Sequence, residues 1–280
     1  MGNGDDTVLN LGVLHDVRLG AGNDTYSVTD LGAEDFFVLE SGTPRGVAGD
    51  VRGEGGNDVL SGGTADDRFY GGGDSDTLYG GDRKDQLYGL AGNDPIFGGN
   101  GNDKIIGGIG NDLIDGGNNN DRIYAGSGND AIYGGNGNDF VSGGAGSDYI
   151  AGDAGNDRLS GNDGNDVIEG GAGHDVMTGG AGDDAFVFMG RTGRDRIVDF
   201  DAGDRIEIFV DDASNVLYAD ILANTDFSGG NASIDLSALF NLGDFGAGND
   251  NGSTLTIDNV TLADLDASAF VLLNNFFIAE

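Results

Sequence analysis

A repetitive all-β fold, a stack of very short strands, follows from three observations. Aspartate recurs at a spacing of nine, fifteen times in succession, between residues 58 and 184. Two residues beyond each aspartate stands an apolar side chain. Glycine supplies 56 of the 280 residues and proline only 2, so much of the backbone turns sharply or approaches its neighbours closely. A disordered glycine-rich linker would not hold phase over such a length.

The aspartates define the repeat when each is numbered as the sixth residue of a nonamer. They are Asp58, Asp67, Asp76, Asp85, Asp94, Asp103, Asp112, Asp121, Asp130, Asp139, Asp148, Asp157, Asp166, Asp175 and Asp184. The eighth position holds Leu60, Phe69, Leu78, Leu87, Ile96, Ile105, Ile114, Ile123, Ile132, Val141, Ile150, Leu159, Ile168, Met177 and Phe186. With strand alternation, the eighth side chain points inward and the seventh and ninth point outward. A strand of about three residues is not stable alone, but stacking many buries one continuous apolar row.

Most repeats open with paired glycines, as in Gly98-Gly99-Asn100-Gly101-Asn102-Asp103-Lys104-Ile105-Ile106. The pattern G-G-x-G-x-D-x-apolar-x resembles the RTX, or haemolysin-type, calcium-binding nonapeptide repeat. The resemblance covers residues 53–187 and implies a right-handed parallel β-roll with two nonamers per turn. It also implies Ca²⁺ held between nonamers i and i+2. One loop would supply its second and fourth carbonyls and its Asp; the next would supply its first and third carbonyls and its Asp. Six oxygens suit a hard cation. The implied ligands beside the aspartates are Gly98, Gly99, Asn100 and Gly101, then Gly107, Gly108, Ile109 and Gly110, then Gly116, Gly117 and Asn118. They continue through Gly126, Gly128, Gly134, Gly135, Asn136 and Gly137, then Gly143, Gly144, Ala145 and Gly146. The last are Gly152, Ala154 and Gly155, then Gly170, Gly171, Ala172 and Gly173. Fifteen loops allow at most about 13 stacked pairs and as many ions.

The charge balance agrees with a cation ligand: 49 acidic residues against 13 basic give −36. Nucleic acid and anionic membrane would be repelled. About 13 calcium ions would bring the charge to about −10. The roll is therefore expected to be largely unfolded without Ca²⁺ and to fold cooperatively with it. There is no cysteine, so neither disulfides nor a thiolate site contribute. No signal peptide and no apolar run of membrane-spanning length are visible.

The array is uneven. Ala65, Asp74, Arg83 and Asn119 replace glycine at position four, and Leu90, Asp153 and Asn162 occupy position two. Arg83 and Lys84 directly precede Asp85. Sites near 65–90 are expected to be weak, and those built from 98–184 best formed.

The flanks frame the array. Residues 1–52 read as degenerate repeats and an inserted loop: Asp6, His15 and Asp24 keep the spacing within 1–35, and 37–53, containing Pro44, is the loop. Residues 188–280 read as a cap. There Asp195 and Ile197, then Asp204 and Ile206, resume the spacing after a slip of two. This segment resembles the one that follows the repeats in serralysin-type and epimerase-type modules. Strands are expected at 231–236 and 254–260, and a short helix from Thr261 with that residue as N-cap. The apolar end, Asn274-Asn275-Phe276-Phe277-Ile278-Ala279-Glu280, is either a type I secretion signal or the last strand of the cap.

No catalytic constellation stands out. H-E-x-x-H and G-x-S-x-G are both absent. His174 reads as a solvated loop residue and His15 as a lost calcium ligand. Tyr70, Tyr88 and Tyr124, with Tyr79, Phe97 and Tyr133 on the other face, read as aromatic stacks along the roll. The alternative is a surface for a polysaccharide or cell surface. Arg191, Arg194 and Arg196 are expected to pair with acids. The resemblance implies a secreted, Gram-negative bacterial calcium-binding module, exported by a type I apparatus, with a structural, adhesive or folding-aid role and no enzymatic activity. The other reading is the C-terminal portion of a larger secreted metalloprotease, lipase or alginate epimerase, because the chain opens in mid-repeat at Gly2-Asn3-Gly4-Asp5-Asp6.

Overall fold

The structure is a computed structural model that describes residues 7–10, 17–21, 25–28, 50–189, 192–210, 225–227, 231–235, 254–260, 265 and 268–274. Every regular element among these residues is a strand. The chain divides into two units, 1–135 and 136–280.

In the first unit, odd and even strands form separate parallel sheets. One runs β1 (Thr7–Asn10), β3 (Thr25–Val28), β5 (Val59–Ser61), β7 (Thr77–Asp82), β9 (Pro95–Asn100), β11 (Leu113–Asn118) and β13 (Ala131–Tyr133). The other runs β2 (Val17–Ala21), β4 (Val51–Gly55), β6 (Arg68–Gly73), β8 (Gln86–Ala91), β10 (Lys104–Ile109) and β12 (Arg122–Ser127). Leu78 pairs with Ile96 and Ile105 with Ile123, each 18 residues apart, so two nonamers make one turn. The degenerate N-terminal repeats join the same sheets, with Thr25 opposite Val59 and Val17 opposite Val51. Strand β4 therefore begins within the stretch read from the sequence as inserted loop. Residues 29–49, with Pro44, and His15 lie outside the described residues.

In the second unit, β14 (Phe140–Ala145), β16 (Arg158–Asp163), β18 (Val176–Ala181), β20 (Arg194–Ile197) and β24 (Thr254–Ile257) are parallel. Two antiparallel strands, β23 (Ala232–Asp235) and β22 (Thr225–Asp226), close that sheet. The other sheet runs β15 (Tyr149–Ala151), β17 (Val167–Glu169), β19 (Ala185–Met189), β21 (Arg205–Val210) and β25 (Phe270–Asn274). Both strands expected around 231–236 and 254–260 are present. The proposed helix start, 261–264, lies outside the described residues, as does the tail 275–280.

The core is the eighth-position row: from Leu60 to Phe186 every member is buried to 1% exposure or less. Strands β5, β13, β15 and β17 span the expected three residues, but most others of the array span six, covering positions seven to nine and one to three of the next repeat, as in Lys104–Ile109. The physical reason is that the first glycine of each pair is a buried strand residue and pairing continues through the second and third positions, as in Gly108 and Ile109 opposite Gly126 and Ser127.

Candidate calcium ladder

The two glycines do different work. The second takes a positive φ, 100° at Gly99 and 127° at Gly108, as does the fourth-position glycine, 131° at Gly110. These backbone angles make the sharp turn. The first glycine is required by space. A Cβ on Gly107 would lie 2.3 Å from Asp112 Oδ2 and 2.5 Å from the Ala125 carbonyl oxygen of the next turn. A Cβ on Gly89 would lie 2.4 Å from Asp94 Oδ2 and 2.7 Å from the Gly107 oxygen. The same pair of oxygens meets the bare face of Gly71, Gly80, Gly98, Gly152 and Gly161. Ala125 is the one position-one residue of the array that carries a methyl there.

The sixth-position aspartates form a ladder. From Asp76 to Asp130 and again from Asp157 to Asp184, each reaches back to the preceding turn, where its Oδ1 accepts the backbone N–H of the aspartate 18 residues earlier. Asp85 N–H donates to Asp103 Oδ1 at 2.7 Å, and Asp94 N–H to Asp112 Oδ1 at 2.9 Å. In the second unit, Asp157 donates to Asp175 at 2.8 Å and Asp166 to Asp184 at 2.9 Å. One oxygen is thus fully engaged. The other, Oδ2, is buried without a hydrogen bond in Asp76, Asp85, Asp94, Asp103, Asp112, Asp157, Asp166, Asp175 and Asp184. A buried carboxylate oxygen left so is costly, of the order of several kcal/mol for a charged group. Its repetition at one position marks where a cation would be held.

Burial raises these carboxyls strongly. Asp103 is pushed to about 6, Asp76 and Asp112 to about 7, and Asp85 to about 8. Neighbouring ladder carboxylates add to the rise at Asp76, Asp85 and Asp112. Asp157 and Asp175 stand at about 7 for the same reason. A row of desolvated like charges with inward oxygens is a site for a divalent ion.

The residues fit calcium. All donors are oxygen, and among the described residues no three acidic or histidine side chains converge on one point. Carbonyls must therefore complete each shell, as the glycine spacing implies. The second- and third-position carbonyls are already used once: Gly63 O accepts from Asp82 N–H at 2.7 Å, and Ile109 O from Gly92 N–H at 2.9 Å. A carbonyl retains a second lone pair for an ion.

The departures from glycine sort themselves by backbone. Asp74, Arg83 and Asn119 adopt φ of 72°, 74° and 78°, and Leu90, Asp153 and Asn162 adopt 82°, 67° and 78°. Their loops keep the regular turn at about 1–2 kcal/mol of strain each. Arg83 and Lys84 are exposed, and neither offsets the rise at Asp85. Ala65 alone among the four substitutions at position four lacks a positive φ. Its loop closes on itself, with Gly63 N–H donating to Asp67 Oδ2 at 3.2 Å.

Outside the carboxylates, a second ladder runs at position five. Asn111 N–H donates to Asn93 Oδ1 and Asn129 N–H to Asn111 Oδ1, both at 2.7 Å. His174 belongs to this ladder: it is exposed, and its Nδ1 accepts the Arg194 N–H at 3.0 Å. Arg196 pairs with Asp258, its Nε at 2.7 Å from Oδ2. Arg191 lies outside the described residues. Tyr70 stacks on Tyr88 at 4.8 Å and carries the Arg52 guanidinium at 4.2 Å, so both its faces are covered along the roll. Tyr79 stacks on Phe97 at 5.1 Å.

At its C-terminal end the ladder persists although the repeat slips. Asp184 N–H donates to Asp204 Oδ1 at 2.9 Å, across 20 residues. Asp199 takes the Gly179 N–H at 2.9 Å and the Gly180 N–H at 3.0 Å on its two oxygens. The signal in the sequence was the resumed spacing of Asp195 and Asp204.

The profile of the RTX calcium-binding nonapeptide repeat matches the chain in four copies, at residues 52–87, 79–114, 115–150 and 151–186. Comparison with curated protein sequences gives no match. Among solved structures the chain is similar to the extracellular lipase LipA from Serratia marcescens, with 20% identity and a TM-score of 0.29. That similarity covers 61% of this chain and 40% of the lipase, so the chain spans less than half the length of that protein. Over residues 52–186 the chain belongs to the RTX calcium-binding nonapeptide repeat family.

Proposed function

We propose that this chain is a module of a secreted protein whose principal chemistry is its own calcium-driven folding. The observation that carries the reading is the repeated Oδ2, buried and without a hydrogen bond. Without an ion, the row of desolvated carboxylates opposes folding at neutral pH. With ions in place, the same row becomes the ligand set and the excess negative charge falls. Cytosolic calcium is too low to fill sites of extracellular affinity, whereas millimolar calcium outside a cell fills them. A chain unfolded inside and folded outside suits export by a type I apparatus, followed by a structural or adhesive role.

The module itself is read as non-enzymatic. Its strongly raised carboxyls, Asp76, Asp85 and Asp112 among them, all occupy the ladder position, so the repeat accounts for them. Far-ultraviolet circular dichroism during EGTA chelation tests the proposal. Loss of most strand signal, restored by added calcium, is expected. Unchanged strand content with all metal removed would refute it.

A further inference from the structure

At Gly161 the Gly179 carbonyl meets the glycine face. At Gly170 the three nearest atoms all belong to the loop's own Asp175. Beyond the matched repeats, residues 192–195 stack on loop 170–175 as one more turn. Gly173 N–H donates to Thr192 O at 2.9 Å, and Arg194 N–H donates to Gly173 O at 3.1 Å. Gly193 takes the left-handed φ of 96°, and Asp175 N–H donates to Asp195 Oδ1 at 3.1 Å.

Three side-chain oxygens are then left over at one place. Asp175 Oδ2, Asp195 Oδ2 and Thr192 Oγ1 belong to residues 1%, 2% and 3% exposed; none has a hydrogen bond of full geometry, although Asp175 and Thr192 both interact with the Asp195 carboxyl. The threonine is the distinguishing feature. It stands at loop position three, where Asp82, Asn100, Ile109, Asn118, Asn136 and Ala145 are all exposed. Here the side chain is buried beside the Asp195 carboxylate, under the turn whose Gly193 O accepts from Thr254 N–H at 2.7 Å.

We infer that Asp175, Asp195 and Thr192 form a further cation site, closing the ladder with a hydroxyl ligand that the nonapeptide pattern does not contain. Two carboxylates balance a divalent ion, and an all-oxygen set with a neutral hydroxyl selects a hard one, calcium. The inference rests on the reading of the array as a calcium ladder but is separable from it, because the array supplies its own ions.

The test is a crystal structure of the full chain grown with calcium, with ions located by their anomalous signal. A peak is expected within about 2.3–2.6 Å of all three oxygens, alongside the peaks of the array. Array peaks with none between Asp175 and Asp195 would overturn this inference and leave the array reading intact. No peaks anywhere would remove both. In Thr192→Val the shape is kept and the oxygen is lost; the terminal peak is expected to vanish while the array peaks remain. Its persistence at full height would contradict the hydroxyl's role. Asp195→Asn, judged folded by its array peaks, is expected to lose the same peak, and retention would count against the site.

Discussion

Two loops of the first unit, 62–67 and 98–103, come from the same repeat and end differently. In 98–103, Gly99 and Gly101 take φ of 100° and 153°, and Asp103 Oδ2 is buried without a hydrogen bond. In 62–67, Ala65 replaces the fourth glycine, no left-handed φ occurs, and Gly63 N–H occupies Asp67 Oδ2. The left-handed turn thus does more than reverse the chain. It holds the loop's own amides away from the carboxylate, so the inner oxygen stays free for an ion. An Ala at that position lets the loop satisfy its aspartate internally.

The largest effect should come from the glycine face. Gly107→Ala places a methyl on Asp112 Oδ2 and the Ala125 oxygen, and overpacking of this kind costs about 1–3 kcal/mol. The control is Gly55→Ala, where nothing lies within 4 Å and φ is not left-handed. That change should be neutral or stabilise by about 0.4–1 kcal/mol through the unfolded chain. Thermal melts in calcium compare the two, and equal effects would sink the spatial argument.

The pH response is next. Burial raises Asp76 to about 7 and Asp85 to about 8 from an ordinary 3.8. A carboxyl raised by folding favours the ion-free roll fully below its unfolded value, and that contribution disappears as pH climbs through the folded value. The ion-free chain should therefore be most ordered in acid and lose order between about pH 5 and 8. Calcium competes with those protons, so its affinity should rise over the same window. Titrations at fixed salt check both signs.

Ala65→Gly is expected to act in opposite directions with and without the ion. It should free Asp67 Oδ2 and strengthen calcium binding, yet cost the ion-free chain about 0.4–1 kcal/mol in added unfolded-state freedom. Calcium titration and urea melts of the same variant separate the two. The smallest effect should come from Tyr70→Ala, which removes a stack worth about 0.5–1.5 kcal/mol. Because Arg52 and Tyr88 already cover both faces of the Tyr70 ring, polysaccharide binding should not change.

Much of this was legible in the residues. The strict spacing of Asp58 to Asp184 and Leu60 to Phe186 specified the roll, its core row and the ladder. Strand length was not legible, because paired glycines read as a turn whereas the first is a buried strand residue such as Gly107. The fate of the substituted loops was not legible either. Arg83 and Asn119 tolerate a left-handed φ that Ala65 does not adopt, and that choice depends on the stacked turns on either side. The closing turn was legible in part: the resumed spacing of Asp195 and Asp204 marked it, but Thr192 stands at a position from which the repeat uses only the carbonyl, so its hydroxyl gave no signal.

The most direct measurement counts calcium bound at saturation, by equilibrium dialysis, together with strand content in the same samples. If the orphaned oxygens are ion sites, many ions bind, approaching the ceiling of about 13 stacked pairs, and strand content rises with occupancy. Binding of only one or two ions, or strand content indifferent to occupancy, would contradict the account.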